Sequence, residues 1–164
     1  ASAVSRGKSL HTLIENHLRN EDSKSMGITA IEPLGMFRII QPYLNRIDNI
    51  HGVEEYLYSK EIGVAGQCDC IAEYKGKLSI IDFKSSSKQR DEDYNYANFL
   101  QTSAYAKMYE EIFPKYKIEQ TVVLTACADG FVQEWIHGKE KYSAHQELFY
   151  KHTKDFLDRM NINS

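Results

Sequence analysis

The sequence lacks the features that mark several protein classes. Its 164 residues carry a formal net charge of -3, whereas proteins that bind nucleic acid through an overall electrostatic field are basic. A local basic groove remains compatible with this charge. The chain contains no run of about 18 apolar residues, so no transmembrane helix is predicted. The first residues, Ala-Ser-Ala-Val-Ser-Arg, include no apolar signal core.

Cysteine is also scarce, and its spacing carries little chemistry. The three cysteines are Cys68, Cys70 and Cys127, so a four-cysteine cluster or zinc site is excluded. Cys68 and Cys70 lie two residues apart on a predicted strand, which would place both on one face without allowing a disulfide between them. An odd count without a spaced framework predicts reduced, buried thiols in an intracellular protein.

The chain does contain enough apolar residues for one domain. Hydrophobic residues make up 42% of the sequence, and a chain of this length can bury a substantial core. No internal repeat, low-complexity tract or linker divides it, so a single domain over residues 1–164 is predicted. Because the sequence begins close to a helical pattern, we expect that an upstream segment has been removed.

Hydrophobic periodicity predicts an α/β fold with a mixed central sheet flanked by helices. The predicted order is helix, helix, three strands, helix, two strands, helix. The predicted helices cover Val4–Arg19, Met36–Ile47, Tyr94–Ile112 and Lys141–Met160, and 28–35 is predicted to be irregular. In the third helix the residues expected to face inward are Ala97, Leu100, Ala104 and Met108. The predicted strands are Val53–Glu61, two strands of a hairpin within Ala65–Lys88, Ile118–Ala128 and Phe131–Ile136.

The predicted hairpin brings two carboxylates together. Lys75-Gly76 favours a two-residue turn, since glycine adopts a positive φ at low cost. Counting outward from that turn places Asp69 opposite Asp82, on one face of the sheet with Cβ atoms roughly 5 Å apart. Lys84 lies two residues beyond Asp82 and would point to the same face. Apolar residues further along both strands are typical of a central position rather than of a solvated hairpin end.

Two opposed carboxylates destabilise a sheet unless a positive charge lies between them. A divalent cation with oxygen ligands is the natural partner, and the Lys84 ammonium would add to it. The sequence therefore predicts a metal site at Asp69 and Asp82.

Other polar residues leave alternatives open. His11 and Glu15 stack four residues apart beside the apolar stripe of the first helix, where both would need polar partners. Glu54 and Glu55 could reach the site, although the solvated interpretation is favoured. The loop that follows Lys84, residues 85–93, offers hydroxyl and basic groups that suit phosphate contacts, but it fits a charged surface loop equally well.

Four segments resemble the motifs of RecB-type nucleases in the PD-(D/E)XK superfamily. Gly66-Gln67-Cys68-Asp69 is similar to Gly-x-x-Asp, Asp82-Phe83-Lys84 to Asp-x-Lys, and Gln101 with Tyr105 to Gln-x-x-x-Tyr. The segment from Gly7 to Glu15 is similar to a first motif that carries histidine and glutamate. Within this family, 69–86 is most similar to mitochondrial genome maintenance exonucleases and their phage-encoded relatives.

The resemblance implies roles for individual residues. His11, Asp69, Asp82 and the backbone carbonyl of Phe83 would hold Mg²⁺ or Mn²⁺, with Glu15 reaching the metal through water. Lys84 would orient or activate the attacking water and stabilise charge on the phosphate. The residues implied to brace the site and contact the nucleic-acid backbone are Gln101 and Tyr105. The residues expected to bind nucleic acid are Lys8, Ser85, Ser86, Lys88 and Arg90.

The activity that the resemblance implies is metal-dependent hydrolysis of DNA, by an exonuclease acting on single strands or free ends during replication, repair or recombination. The cysteine set that helicase–nuclease relatives use for an iron–sulfur cluster is missing, so no such cluster is expected. A single histidine ligand favours Mn²⁺ slightly over Mg²⁺. The implied compartment is a mitochondrion, a bacterial cytoplasm or a phage-infected cell. Two alternatives are a catalytically silent nucleic-acid-binding module of the same fold and a sequence- or structure-specific endonuclease.

Overall fold

The computed structural model describes residues 2–163 and contains five strands and four α-helices in the predicted order. The helices are α1 (Ala3–Leu18), α2 (Ile31–Leu44), α3 (Glu92–Ile112) and α4 (Lys139–Asn163), with a short 3₁₀ turn at Asp22–Ser25. The strands are β1 (Ile47–Ser59), β2 (Val64–Tyr74), β3 (Lys77–Ser86), β4 (Gln120–Cys127) and β5 (Val132–Gly138). Within the described residues no helix combines the length and apolarity needed to span a membrane.

The five strands form one mixed sheet in the order β1-β2-β3-β4-β5. The pairs β1–β2, β2–β3 and β4–β5 are antiparallel, and β3–β4 is parallel because α3 crosses between them. Every residue of β4 is buried. The mixed α/β architecture predicted from the sequence is confirmed.

Helices cover both faces of this sheet. Leu10 of α1 and Ile40 of α2 pack against one face, together with Phe83 and Leu124. The main residues from α3 and α4 on the opposite face are Ala104, Tyr105, Met108 and Tyr142. A sheet buried on both sides explains the apolar runs Ile80-Ile81 in β3 and Val122-Val123-Leu124 in β4.

The central hairpin has the predicted register. Tyr74 pairs with Lys77 across the Lys75-Gly76 turn, where both turn residues have positive φ, 52° and 82°. The paired residues continue to Cys70 and Ile81. Asp69 and Asp82 are the next residues on each strand, so the site lies where the β2–β3 ladder ends.

The strand-face prediction for the two neighbouring cysteines is wrong. Cys68 packs with the α3 side of the core, whereas Cys70 packs with the α1–α2 side. The pairing with β1 stays in register here, with Val53 opposite Cys70 and Glu55 opposite Cys68. Glu54, which lies between these two partners, has a φ of 54°, so the backbone beside the cysteines departs from regular strand geometry.

Two helix predictions also need correction. The helix α2 begins at Ile31 rather than Met36, because Pro33 occupies the first turn, where a helix needs no backbone donor. Within α3, Ala97 is exposed and Leu100 is only half-buried, while Asn95 and Phe99 are buried instead. At the start of this helix the buried residues therefore lie one or two positions before the predicted ones.

Candidate active site

Three carboxylates lie in one row across three neighbouring strands. The β1–β2 register pairs Glu55 with Cys68 and Val53 with Cys70, which places Glu54 opposite Asp69. The β2–β3 register then places Asp69 opposite Asp82. Like charges in such a row repel one another and need a cation or a proton to coexist.

Backbone and helix groups hold the central carboxylate of this row. Asp69 Oδ2 accepts a hydrogen bond from the backbone N–H of Phe83 at 2.8 Å. Its other oxygen, Oδ1, lies 3.9 Å from Nδ1 of His11, which α1 brings to the site. Burial, and then the neighbouring Asp82 carboxylate, raise the pKa of Asp69 well above its usual range. This direction shows that the ionised form of Asp69 is disfavoured while no cation is bound.

Asp82 carries an oxygen that the chain leaves unsatisfied. Its side chain is 9% exposed, and Lys84 Nζ approaches Oδ2 to 3.2 Å. This approach lacks the angles of a hydrogen bond, and no other donor among residues 2–163 reaches the buried Oδ2 atom. A buried carboxylate oxygen without a donor is costly, so the atom is available to an external ligand.

His11 can offer an imidazole nitrogen to the same space. Burial lowers its pKa, and the charges on Asp82 and the hydrogen bond with the Phe83 backbone only partly oppose this effect. The imidazole is therefore neutral near physiological pH, which is the form that coordinates metals.

Glu54 converges on the same space, although the sequence favoured a solvated position for it. One ligand atom each from Glu54, His11 and Asp69 lies within 4.8 Å of the others. Burial, and next the charge on Glu15, raise the pKa of Glu54. The prediction that Glu54 is solvated is thus wrong, whereas its neighbour Glu55 is exposed as expected. Counting outward from the Lys60–Gly63 turn would have placed Glu54 opposite Asp69.

Gln101 and Tyr105 approach the row from α3. Gln101 Nε2 donates a hydrogen bond to the Tyr105 hydroxyl at 3.3 Å. Burial raises the pKa of Tyr105 to about 12, and the neighbouring Asp82 and Asp69 carboxylates add to this effect, so its phenol stays neutral. The ring crosses β2 at Gly66, where an added Cβ would come within 2.7 Å of the Tyr105 oxygen. Glycine three residues before Asp69 is therefore required by this close approach.

The other residues of α1 lie at the edge of the site. Glu15 forms an ion pair with Arg19 at 3.2 Å, so its carboxylate is directed along the helix. Lys8 is exposed. Gly7 packs closely against the end of β3, where a Cβ would lie 3.2 Å from Ser85 Oγ. This contact fixes the start of α1 beside the residues that follow Lys84.

The loop after β3 contains the other predicted nucleic-acid-binding residues. Ser85 is half-buried and Lys88 is exposed. Ser86 is buried, and its hydroxyl donates to the Lys88 carbonyl at 2.6 Å, so it stabilises the loop rather than facing a ligand. The Arg90 guanidinium lies 4.6 Å from the centre of the Tyr94 ring. Two of the five predicted residues, Lys8 and Lys88, thus present charge directly to solvent.

The cysteines offer no nucleophile to this site. All three are free and buried in the described chain. Burial raises the pKa of Cys68, Cys70 and Cys127, which keeps the thiols protonated. The reactive groups available are therefore carboxylates, an imidazole and an ammonium.

This donor set suits a hard divalent cation. Mg²⁺ and Mn²⁺ prefer carboxylate oxygens, and a neutral imidazole is acceptable to Mn²⁺ in particular. A positive charge would stabilise both the unsatisfied Asp82 oxygen and the row of three carboxylates. The residues present therefore fit a divalent metal, with Lys84 3.2 Å from one of the ligand oxygens.

Known exonucleases are similar in sequence to part of this chain. The sequence is 28% identical to mouse mitochondrial genome maintenance exonuclease 1 over 127 residues, covering 76% of this chain and 37% of that protein. It is 30% identical to the Xenopus tropicalis protein of the same name over 94 residues, covering 55% of this chain and 26% of that protein. The chain thus spans between about a quarter and little more than a third of the length of these relatives.

The fold also matches a solved structure. The crystal structure of a candidate exonuclease from Eubacterium rectale superposes with a TM-score of 0.64 at 8% sequence identity, covering 97% of this chain and 69% of that chain. At this identity the likeness concerns the fold alone. Residues 8–155 match the sequence profile of the PD-(D/E)XK nuclease superfamily. The chain belongs to the PD-(D/E)XK nuclease superfamily.

Proposed function

We propose that this chain is a metal-dependent deoxyribonuclease that degrades DNA from free ends and prefers single strands. The observation that carries the proposal is the buried, unsatisfied Oδ2 atom of Asp82 beside Lys84, at the end of a row of carboxylates. Opposed carboxylates of this kind cost stability unless they hold a cation. Their retention next to a lysine supports catalysis rather than a purely structural role.

The residues proposed to hold Mg²⁺ or Mn²⁺ are His11, Asp69, Asp82 and the backbone carbonyl of Phe83. Glu54 joins this set because its carboxylate converges with His11 and Asp69. Glu15 acts from further out, since Arg19 already neutralises it. When bound, the cation polarises a phosphoryl oxygen and makes its bound water more acidic.

The chain's own residues perform the remaining tasks. The Lys84 ammonium, 3.2 Å from Asp82, orients the attacking water and stabilises negative charge that develops on the phosphate. The neutral Tyr105 phenol, braced by Gln101, contacts a phosphate oxygen of the DNA backbone as a donor. Both roles need fixed geometry, which the contact between Tyr105 and Gly66 provides.

Residues around the site would hold the DNA backbone. Lys8 and Lys88 are exposed and cationic, and Ser85 lies beside the start of α1. Arg90 lies over Tyr94, and its side chain also contacts Ser87. We propose that these groups bind phosphates, which gives a local basic surface on a chain of negative net charge.

The relatives support DNA ends as the substrate, because two of them are named genome maintenance exonucleases. The reduced cysteines further support action inside a cell or a mitochondrion. A preference for single strands is part of the proposal and is developed below.

The test compares end-labelled single- and double-stranded DNA, linear and circular, incubated with Mg²⁺, Mn²⁺ or EDTA. We expect metal-dependent loss of linear single strands, no cutting of closed circles and no activity of the Lys84→Ala variant. A matched control is Lys139→Ala, which removes an exposed lysine at the start of α4 and should leave the rate unchanged. Absence of metal-dependent degradation by the wild type would refute the enzyme and favour a silent DNA-binding module. Efficient cutting of circles would instead indicate an endonuclease.

A further inference from the structure

A cavity lies between β1 and the end of α3. Its volume is about 420 Å³, within the ~300–1,000 Å³ range of small-ligand sites. Rings dominate its lining and belong to His51, Tyr56, Tyr58, Tyr109, Phe113 and Tyr116. Leu57 and Ile71 form an apolar floor. We call this feature the aromatic cavity.

The aromatic cavity adjoins the proposed catalytic site along two strands. Glu55 on its wall is the neighbour of Glu54, and Ile71 on its floor lies two residues from Asp69. Two residues of strand span about 7 Å. On the helical side, Tyr109 follows Tyr105 by one turn of α3. Glu55 faces Tyr109, whereas Glu54 faces His11 on the other side of the edge strand β1, so a strand whose phosphate reaches the carboxylates would enter the aromatic cavity by crossing the edge of β1.

The rings contact one another, but part of their surface remains exposed. The centre of the His51 ring lies 4.6 Å from that of Tyr116, and that of Phe113 lies 5.0 Å from that of Tyr109. Yet 78% of Tyr56, 48% of Tyr58 and 46% of Phe113 are exposed. Large aromatic surfaces left open around one concave site are typical of binding surfaces rather than of a folded core.

The polar groups of the aromatic cavity suit the edge of a base better than a phosphate. Tyr109 is almost fully buried, and its hydroxyl lies 2.7 Å from His51 Nδ1, so both present hydrogen-bonding groups inside. Glu55 on the wall would repel a phosphate but can accept a hydrogen bond from an exocyclic amine. Positive charge lies outside, where the Lys115 ammonium lies 5.0 Å from the centre of the Tyr116 ring.

From these contacts we infer that the aromatic cavity binds one unpaired nucleobase of the DNA strand, with the base stacked on Tyr56 or Phe113 and the backbone outside beside Lys115. The inference rests on the proposed function and supplies its strand preference. A base that is paired and stacked in a duplex cannot enter without being unstacked, which costs a few kcal/mol. Base–aromatic stacking tolerates any sequence, as a general exonuclease requires.

The experiment uses oligonucleotides that carry 2-aminopurine at each of the last six positions in turn, mixed with protein in EDTA. Stacking on an aromatic ring quenches 2-aminopurine fluorescence, so we expect strong quenching at one or two adjacent positions with the wild type. Tyr56→Ala and Phe113→Ala should relieve that quenching and weaken single-strand affinity by about 5- to 100-fold each. Their affinity for a blunt duplex should not change.

The matched control is Phe131→Ala, which removes a comparably exposed ring from the β4–β5 turn and should change neither signal. Because Tyr56 and Phe113 are largely exposed, their variants should fold, and Tyr109→Phe tests the cavity interior without removing a ring. Quenching and affinity that survive both alanine variants, or that fall equally with Phe131→Ala, would overturn the inference. These measurements need no metal and are therefore independent of DNA degradation. Absence of degradation would refute the proposed function without refuting base binding in the aromatic cavity.

Discussion

Two clusters of charged side chains lie within this fold, and they follow opposite rules. At the β4–β5 side of the sheet, Glu134 accepts hydrogen bonds from the Tyr74 hydroxyl, from Arg46 at 2.7 Å and from Lys75 at 3.2 Å. At the other side, the row of Glu54, Asp69 and Asp82 sets like charges against one another. The first cluster is satisfied by the chain itself, and the second is not.

The pKa directions show the same contrast. Burial alone would raise the pKa of Glu134, but the hydrogen bonds from Tyr74 and Lys75 hold it below its usual range. The pKa of Asp69 is instead raised by burial and by Asp82. A cluster whose charges are paired within the chain stabilises the fold, whereas a cluster of unpaired like charges gains its stabilisation only when a ligand binds. Mutations in the two clusters should therefore affect different properties, stability in the first and activity in the second.

The largest expected effect is on catalysis, at Asp82. Asp82→Asn removes the charge of the unsatisfied oxygen but keeps its shape, so DNA degradation should fall by at least ~1000-fold, about 4 kcal/mol of transition-state stabilisation. The measurement is the single-turnover rate with Mg²⁺ and with Mn²⁺. A loss of less than tenfold would mean that Asp82 is not in the reacting site.

The next effect is on stability, at Glu134. Glu134→Ala leaves the Tyr74 hydroxyl and the partly exposed Arg46 guanidinium without their shared acceptor, which should cost about 2 kcal/mol of unfolding free energy. Urea denaturation measures it, and the folded variant should still degrade DNA at the wild-type rate. If Glu134→Ala lost specific activity as well as stability, the two clusters would not have separate roles.

An intermediate effect on the rate of DNA degradation is expected at Gly66, because a side chain there would displace Tyr105. Gly66→Ala places a Cβ 2.7 Å from the Tyr105 oxygen, so the ring must shift, and the rate should fall by about 10- to 100-fold. Gly35→Ala is the control, because no atom lies within 4 Å of a Cβ there. If Tyr105→Phe relieves the crowding, it should lower the rate less in the Gly66→Ala background than in the wild type. Equal rates for Gly66→Ala and the wild type would argue against a fixed Tyr105.

The smallest effect concerns the stability that depends on His137, a buried histidine outside the proposed active site. Burial, and next the charge on Lys141, lower the pKa of His137 to about 4. Below the usual histidine pKa of about 6.5, the unfolded chain binds a proton that the folded chain does not, so stability falls as pH drops from about 6.5 towards 4. The expected loss is about 2 kcal/mol, read from urea unfolding across that range. His137→Gln should flatten the slope, and an unchanged slope would contradict this assignment.

Much of the fold follows from short-range rules that the sequence displays. The Lys75-Gly76 turn determines the hairpin register, and that register brings Asp69 to Asp82. The helix prediction for α3 was also confirmed in extent, because Asp91 caps its start by accepting from the Tyr94 backbone N–H. These features depend on neighbours in sequence, which makes them predictable.

The missed features depend on distortions and on tertiary packing. Glu54 and Glu55 look alike in sequence, and only the pairing of β1 with β2 shows which of the two enters the site. Glu54 also has a positive φ, and Cys68 and Cys70 lie on opposite faces of β2 although they are two residues apart. Backbone strain of this kind tends to occur at functional sites and has no signature in periodicity.

The most direct test of the account is the thermal unfolding of the wild type and Asp82→Asn, each with EDTA and with Mn²⁺. If the carboxylate row is an unsatisfied cation site, Mn²⁺ should raise the Tm of the wild type by several degrees. Asp82→Asn should melt about 2–4 °C higher than the wild type in EDTA, since repulsion is removed, and should gain little from Mn²⁺. A wild type that does not respond to Mn²⁺, together with an Asp82→Asn variant that melts lower in EDTA, would contradict the account.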